Sequence, residues 1–158
     1  MFRKMRRFKQ QLSDGECLDI LREEGYGILS VTGDGGYPYG VPMNFVYDED
    51  DGRIYFHCAP EGHKIDSLRR DGRASFCVCD KGVRRDGDWA RYVKSVIIFG
   101  RITFVDDDAK KIEKLRSLGM KYYPNAGDVE AEIKKDAARA QMLEMQIEHM
   151  TGKLVHEK

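Results

Sequence analysis

Residues 26–58 read YGILSVTGDGGYPYGVPMNFVYDEDDGRIYFHC, and a period of two within this stretch decides the class of the fold. The odd positions of residues 37–47 are Tyr, Tyr, Val, Met, Phe and Tyr, whereas the even positions are Pro, Gly, Pro, Asn and Val. Such alternation predicts strands with one apolar face. Residues 33–36 (GDGG) supply the positive φ angles of a tight hairpin. Because Pro38 and Pro42 cannot donate to a ladder, their strand is expected at a sheet edge, at a bulge, or with its free side covered by something other than a strand.

The flanking patterns extend the sheet and add short helices. Ser13 followed by Glu16 is a capping box that predicts a helix, and Gly100 predicts a bend or bulge in a long strand. Further helices are expected at residues 63–70, about 106–123 and about 129–138. Strands are expected at residues 26–32, 37–47, 53–58, 74–79, 92–105 and 143–148. Six strands joined mostly by hairpins predict a mainly β fold, a small closed antiparallel barrel with peripheral helices.

The charge balance excludes several classes of partner. The 158 residues carry 27 Lys and Arg against 27 Asp and Glu, so no positive field attracts nucleic acid or an anionic membrane surface. The longest apolar run, residues 96–99, is far too short to span a membrane. The basic N-terminus is followed by no apolar secretory core, so we expect a cytoplasmic protein. Length and composition predict one domain, residues 1–158, with a basic arm at about residues 1–12 that is either solvated or docked on a partner subunit.

The end of the third predicted strand is a candidate anion site. Residues 53–68 read RIYFHCAPEGHKIDSL, so a strand ends near His57 and a helix begins after Gly62, with His63 and Lys64 in its first turn. Free N–H groups, the positive end of the helix and a cationic side chain together favour a phosphate. From the residues alone, a surface lysine and a capping histidine without any ligand remain the alternative.

The proline-bearing strand is a candidate surface for a flat ring. In residues 41–45 (VPMNF), the Asn44 amide and the backbone carbonyls beside proline are available to the polar rim of such a ring. Met43 and Phe45 would supply an apolar wall. The alternative is that Met43 and Phe45 are core residues and that the prolines protect a sheet edge.

Two other small groups of side chains could bind a phosphate or a metal. Ser95 lies beside Lys94 in residues 92–100 (YVKSVIIFG), where a hydroxyl and an ammonium group suit a phosphate, although an exposed lysine and a hydrogen-bonded serine are the commoner arrangement. Cys77 and Cys79 lie on one face of a strand, but no second Cys or His pair follows at zinc-site spacing. We therefore expect structural thiols in a reducing compartment and no metal site.

Taken together, these motifs resemble the flavin-nucleotide-binding proteins of the pyridoxamine 5'-phosphate oxidase-like superfamily, and within it the branch related to 5-nitroimidazole resistance proteins. The resemblance covers about residues 5–154. It rests on MRR near the N-terminus, then Y-P-x-x-V-P-x-N-F, F-H-C-A-x-x-G-H-K, S-V-x-x-x-G and a closing IEHMTGK, in that order. The resemblance implies an FMN-binding split β-barrel, usually a homodimer with two flavins at the subunit interface.

The resemblance also implies roles for ten residues. Gly62, His63 and Lys64 match the family segment at the flavin phosphate. Ser95 and Val96 match a barrel strand that helps to hold the nucleotide. The residues that match the strands lining the isoalloxazine are Pro42, Met43, Asn44, His57 and Ala59.

Some features depart from the family pattern or have no assigned role. Authentic pyridoxamine phosphate oxidases are longer and place several arginines around the substrate phosphate, and no such cluster is present here, so that specific activity is not expected. Residues 151–153 (TGK) match a family signature whose role the sequence does not define. No catalytic side chain is assigned, because a bound flavin performs the chemistry itself. A phosphate contact is favoured for His63 over a role as an acid.

These observations predict an FMN-binding oxidoreductase that reduces a small organic acceptor, such as a nitroimidazole or a related nitro compound, by electron or hydride transfer. The alternative is a noncatalytic flavin carrier or redox sensor, which needs the same nucleotide pocket. Haem binding through a histidine is a third, lesser alternative. The electron donor, the acceptor and the choice between FMN and a deazaflavin stay open at this point.

Overall fold

The computed structural model describes residues 1–155, so the last three residues of the predicted 1–158 domain lie outside the described part. The described chain is mainly β, as the sequence predicts. Its strands are β1 (Gly27–Thr32), β2 (Pro38–Met43), β3 (Val46–Asp48), β4 (Arg53–Cys58), β5 (Arg73–Cys79), β6 (Val83–Arg84), β7 (Arg91–Val105) and β8 (Gln141–Val155). Its α-helices are α1 (Asp14–Glu23), α2 (His63–Arg70), α3 (Asp108–Tyr122) and α4 (Ala126–Asp136). None of these helices is long and apolar enough to cross a membrane.

The sheet is curled so that its two edges meet. The strand order is β2-β1-β5-β7-β8-β4-β3, with β6 paired to β7, and every pair is antiparallel. β2 and β3 are the opposite edges of this order, yet only Asn44 and Phe45 separate them in the chain. Three Cα–Cα steps span at most about 11 Å, so the sheet has to close on itself. Because β2 and β3 do not pair within the described residues, the result is a barrel with one split.

The predicted second strand, residues 37–47, is interrupted where this split lies. Phe45 is fully buried, but its N–H group donates to the hydroxyl of Tyr122 at 2.9 Å instead of to a strand. The same hydroxyl donates to the carbonyl oxygen of Gly25 at 2.6 Å. This break, together with the two-residue strand β6 in the predicted loop, is why the structure has eight strands where six were expected. The placement of the proline-bearing strand at a sheet edge is confirmed.

Two element boundaries, those of β8 and α4, differ from the prediction, and the irregularity expected at Gly100 is confirmed. β8 extends from Gln141 to Val155, well beyond the expected 143–148, because it pairs with β7 along almost its whole length. The expected irregularity at Gly100 is present as a register shift between Phe99 and Gly100. α4 begins earlier than expected because the Asn125 side chain accepts a hydrogen bond from the N–H group of Gly127 at 2.8 Å and caps it.

Apolar side chains form two cores. The larger fills the barrel, where the ring of Phe76 packs edge-on against those of Phe45 and Phe56, each with a centroid distance of 4.9 Å. The smaller core lies outside the barrel wall, beneath α3, and consists of Tyr55, Val105 and Met142. β4 and β8 therefore bury side chains on both faces, which explains why Glu144 is only 7% exposed.

The N-terminal helix docks on β8 at the TGK signature. The predicted capping box is present, because Ser13 and Glu16 cap each other reciprocally. The carbonyl oxygen of Gly152 accepts the N–H group of Leu12 at 2.9 Å. A Cβ atom on Gly152 would lie 2.3 Å from the sulfur of Cys17, so only glycine permits this approach. The signature thus has a packing role, which the sequence left undefined.

Candidate functional site

The N-terminus of α2 is an open notch of backbone amides. Gly62 precedes the helix with φ 118° and ψ 170°, a conformation that L side chains rarely adopt, and no side chain caps the helix. The first intrahelical bond runs from the N–H group of Asp66 to the carbonyl oxygen of Gly62, at 3.0 Å. The amides of residues 63–65 therefore have no acceptor within the described residues. Apart from the two adjacent residues, no described residue has an atom within 4 Å of the position that a Cβ of Gly62 would take, so the space beside this glycine is open.

Lys64 joins this notch to the proline-bearing strand. Its Nζ atom donates to the sulfur of Met43 at 3.6 Å, a weak hydrogen bond because a thioether is a poor acceptor. Partial burial raises the pKa of the Cys58 thiol, and Lys64 beside it opposes that rise. Burial, together with the charge of Lys64, lowers the pKa of His57. Within residues 1–155, Lys64 forms no ion pair with a carboxylate, so its charge is available to an anion.

His63 has structural partners of its own. Its Nε2 atom lies 3.2 Å from the N–H group of Asp34 and 3.6 Å from the carboxylate of the same residue. Its ring stacks on Tyr39 with a centroid distance of 4.2 Å. His63 thus ties α2 to the β1–β2 turn. Of the three residues expected at the phosphate, His63 is therefore the one whose ring is held by other groups of the protein.

The residues expected around a flat ring gather at the split of the barrel. Met43 is buried, and Asn44 donates to the carbonyl oxygen of Gly25 at 3.4 Å. Ala59, at the end of β4, and Pro42 on β2 are exposed; His57 keeps one part of its side chain exposed while neighbouring atoms desolvate the rest of its ring. Asn44 and His57 line one cavity together. The structure therefore brings these two residues together and, through the contact of Met43 with Lys64, connects them to the notch.

That cavity lies between the barrel wall and the α3–α4 pair and has a volume of about 800 Å³. Its aromatic walls, Tyr26, Tyr122 and Tyr123, were not among the predicted site residues. The available signal was the Tyr-Tyr pair at residues 122–123, directly before the proline that prevents α3 from continuing. Nothing in the local pattern indicates that this pair lies beside Asn44 and His57, since the contact depends on how α3 folds back on the barrel.

The two site residues on β7 lie elsewhere. Val96 is fully buried in the barrel core, opposite Val78 and Gly152. Ser95 is on the outer face of the sheet, paired with Cys79 and Lys153. The register of the strands locates Ser95 relative to Met43 and Lys64.

Met43 pairs with Gly27 on β1, Ile28 pairs with Cys77 on β5, and Val78 pairs with Val96 on β7. Three strand spacings, roughly 14 Å, therefore separate Met43 from Val96 across the sheet. Met43 and Val96 both face the barrel core, whereas Ser95, the residue before Val96, faces outward, so Ser95 and the Met43 side chain that Lys64 contacts lie on opposite faces of the sheet.

The sequence and the fold are both similar to those of known proteins. The sequence profile of the family described as pyridoxamine 5'-phosphate oxidase matches residues 13–154. The 5a,11a-dehydrotetracycline/5a,11a-dehydrooxytetracycline reductase of Streptomyces rimosus is 32% identical over 85 residues, which is 52% of this chain and 57% of that protein. The match thus spans little more than half the length of that relative.

Two solved structures show the same fold. A candidate 5-nitroimidazole antibiotic resistance protein from Bacteroides thetaiotaomicron has a TM-score of 0.78 at 22% identity, over 92% of this chain and 87% of that chain. A FAD-binding protein from Mesorhizobium loti has a TM-score of 0.67 at 24% identity, over 92% and 97%. The family profile spans most of the sequence and the barrel is shared with these structures. The chain belongs to the pyridoxamine 5'-phosphate oxidase family.

Proposed function

We propose that this chain binds FMN and acts as a flavin-dependent oxidoreductase on a small organic acceptor. The proposal rests mainly on one observation: Lys64 has no carboxylate partner among the described residues and lies in the first turn of a helix whose N-terminus no side chain caps. This combination suits a terminal phosphate. Two facts about relatives support the proposal that the ligand with this phosphate is a flavin nucleotide. One protein of this fold is named FAD-binding, and a sequence relative is named a reductase.

The residues present fit both ends of such a nucleotide. The notch at Gly62 and Lys64 would hold the phosphate, while Met43 supplies an apolar contact and Asn44 an amide for the polar rim of the ring. When bound, a flavin supplies electron or hydride transfer at its ring. The chain needs only to bind the tail, orient the ring and exclude water, so the absence of an assigned catalytic side chain is compatible with the proposal.

We also propose that the protein is a homodimer with the nucleotide between two chains. Ile28, Ile97 and Phe99 are 41–43% exposed on the outer face of neighbouring strands, which is unusual for large apolar side chains. Ser95 belongs to the same face of β7, two residues from Ile97. If this face pairs with a second copy, a nucleotide held by Lys64 of one chain can meet Ser95 of the partner subunit.

Replacing Lys64 by alanine tests the phosphate assignment. The substitution should weaken FMN binding by about tenfold or more, because a hydrogen bond to a charged group is worth about 1.5–3 kcal/mol. Riboflavin, which lacks the phosphate, should bind almost as before. Fluorescence titration of both ligands gives the two affinities, and FAD is titrated in parallel because relatives of this fold bind it. Arg69→Ala, at the other end of α2, is the matched control and should leave both affinities unchanged. Equal losses for FMN and riboflavin would refute the assignment.

Steady-state oxidation of NADH or NADPH separates an enzyme from a carrier. A nitroaromatic compound, including a nitroimidazole, and a quinone serve as acceptors for the flavin-loaded protein. Turnover that depends on the acceptor supports the oxidoreductase. Tight flavin binding without turnover on any of these acceptors would instead favour the noncatalytic carrier or redox sensor. Purified protein that retains no flavin would overturn both functions.

A further inference from the structure

The cavity beneath α3 and α4 differs chemically from the notch at α2. Its volume of about 800 Å³ falls within the range of about 300–1,000 Å³ that is usual for small-molecule sites. Three tyrosines line it, together with apolar side chains from both helices, among them Leu118, Val129 and Ile133. Asn44 and His57 form part of the opposite wall, so the cavity begins where the proposed ring site ends.

The formal charges that line this cavity are all negative. Asp128, Glu132 and Asp136 occur four residues apart on α4, so they form one stripe, and all three line the cavity. Among residues 1–155, no lysine or arginine lines the cavity. His57 is the remaining titratable base there, and partial burial and the charge of Lys64 lower its pKa.

Nearby cations only partly offset this stripe. Lys135 lies 3.6 Å from Glu132 and 3.5 Å from Asp136, and Arg139 also pairs with Asp136. These pairs are solvent-exposed and contribute little. Asp128 forms no ion pair with any residue that the structure describes.

We infer that this cavity binds the electron acceptor, and that the acceptor is a planar aromatic molecule with a protonated amine. The tyrosine rings offer flat apolar surface and attract a cation over their faces. The carboxylates on α4 favour positive charge, and Asn44 and His57 place the occupant next to the ring site. The inference rests on the proposed function, because that function supplies the flavin beside which the acceptor lies.

Three probes of similar shape and different charge test this inference on the flavin-loaded full chain. At neutral pH, 9-aminoacridine is a cation, acridine is mainly neutral and acridine-9-carboxylate is an anion. Calorimetry should show the cation binding most tightly and the anion most weakly. Because both carboxylates are exposed, the double variant Asp128→Asn/Glu132→Gln should weaken 9-aminoacridine by about fivefold and change acridine by less than about twofold. Asp106→Asn, an exposed carboxylate that does not line the cavity, is the charge-matched control and should change neither.

A second variant, outside α4, separates a loss of binding from a folding defect that the double variant could cause in α4. Tyr123→Ala removes an exposed aromatic wall and should weaken the cationic and neutral probes together. If the flavin-loaded protein binds the three probes equally, prefers the anion, or binds none, the inference is overturned while the flavin assignment stands. Failure to bind flavin is detected separately, by the FMN titration, and would overturn the proposed function and with it the assignment of the cavity to an electron acceptor.

Discussion

A single hydroxyl group maintains the split of the barrel. The Tyr122 oxygen accepts the N–H group of Phe45 and donates to the carbonyl oxygen of Gly25, so it satisfies backbone groups that a continuous strand would have paired. Burial raises the pKa of this phenol, which is therefore protonated at neutral pH and able to donate. The tyrosine also forms part of the cavity wall, so the closure of the barrel and the shape of the site depend on one residue.

Tyr122→Phe should lower the free energy of unfolding by about 1–3 kcal/mol, because a buried N–H group loses its acceptor. Urea denaturation followed by circular dichroism measures the change. Tyr123→Phe serves as the control, since that side chain is 60% exposed and its hydroxyl makes no hydrogen bond within the described residues. A change of similar size in both variants would show that the Tyr122 hydroxyl has no special role.

Gly152 can be tested in the same way. A methyl group at this position would meet the sulfur of Cys17 and the side chain of Leu12, so Gly152→Ala should cost about 1–3 kcal/mol through overpacking. Gly15→Ala is the control, and its expected effect on stability has the opposite sign. No atom lies within 4 Å of a Cβ there, and within α1 alanine is favoured over glycine by about 1 kcal/mol. Thermal unfolding should therefore move in opposite directions for the two variants, and a stabilised Gly152→Ala protein would contradict the packing role of the TGK signature.

Among the elements, α3 has the most extensive polar attachment to the barrel. Lys114, only 6% exposed, donates to Asp48 at 2.7 Å, and Glu144 pairs with Lys110 and Arg53. Burial alone would raise the pKa of Asp48 and of Glu144, but the hydrogen bonds from the lysines outweigh it and both pKa values are lowered. The helix is thus attached by ionic contacts above a small apolar core, and it carries Tyr122 to the split.

This attachment predicts how stability depends on pH. A carboxyl group whose pKa is lowered by folding stabilises the protein above its unfolded pKa, here near 3.8 for Asp48 and 4.5 for Glu144, and this contribution is lost as the pH falls through the folded value. Lys114→Met should cost about 3 kcal/mol at neutral pH, because it leaves Asp48 buried without its cation.

The same substitution should reduce the loss of stability on acidification, since the pKa of Asp48 then lies closer to its unfolded value. Urea denaturation from about pH 6 down to about pH 3 measures both effects. Lys111→Met on the same helix removes a cation that has no ion pair within the described residues, and it should leave the pH profile unchanged. A profile of Lys114→Met parallel to that of the unchanged protein would refute the account.

On the scale of the whole molecule, the proposed dimer explains why the candidate nucleotide residues are divided between two places. Lys64 lies at the split, whereas Ser95 lies on the exposed outer face with Ile97 and Phe99. Ile97→Lys should therefore disrupt the association and lower the affinity for FMN together. Light scattering should give twice 18.2 kDa for the unchanged protein and a value near 18.2 kDa for the variant. Val83→Lys, an apolar side chain that is 65% exposed on β6, is the control. A monomeric Ile97→Lys protein with unchanged FMN affinity would show that the nucleotide does not require two chains.

Local patterns in the sequence determined much of this protein. The period of two predicted the β class, the capping box predicted α1, and Gly62-His63-Lys64 after a strand predicted a helix N-terminus with a cation. These features depend on neighbours within a few residues, which is why a single sequence shows them.

Only the tertiary structure decided which distant groups meet. The break at Phe45 exists because Tyr122, far along the chain, replaces a strand partner, and Glu144 is buried because α3 covers the outer wall of the barrel. The aromatic cavity and the separation of Ser95 from Lys64 likewise follow from how a closed sheet and a long bent hairpin are arranged in space. Alternation along a strand indicates which side chains share a face, but it contains no information about what packs against that face.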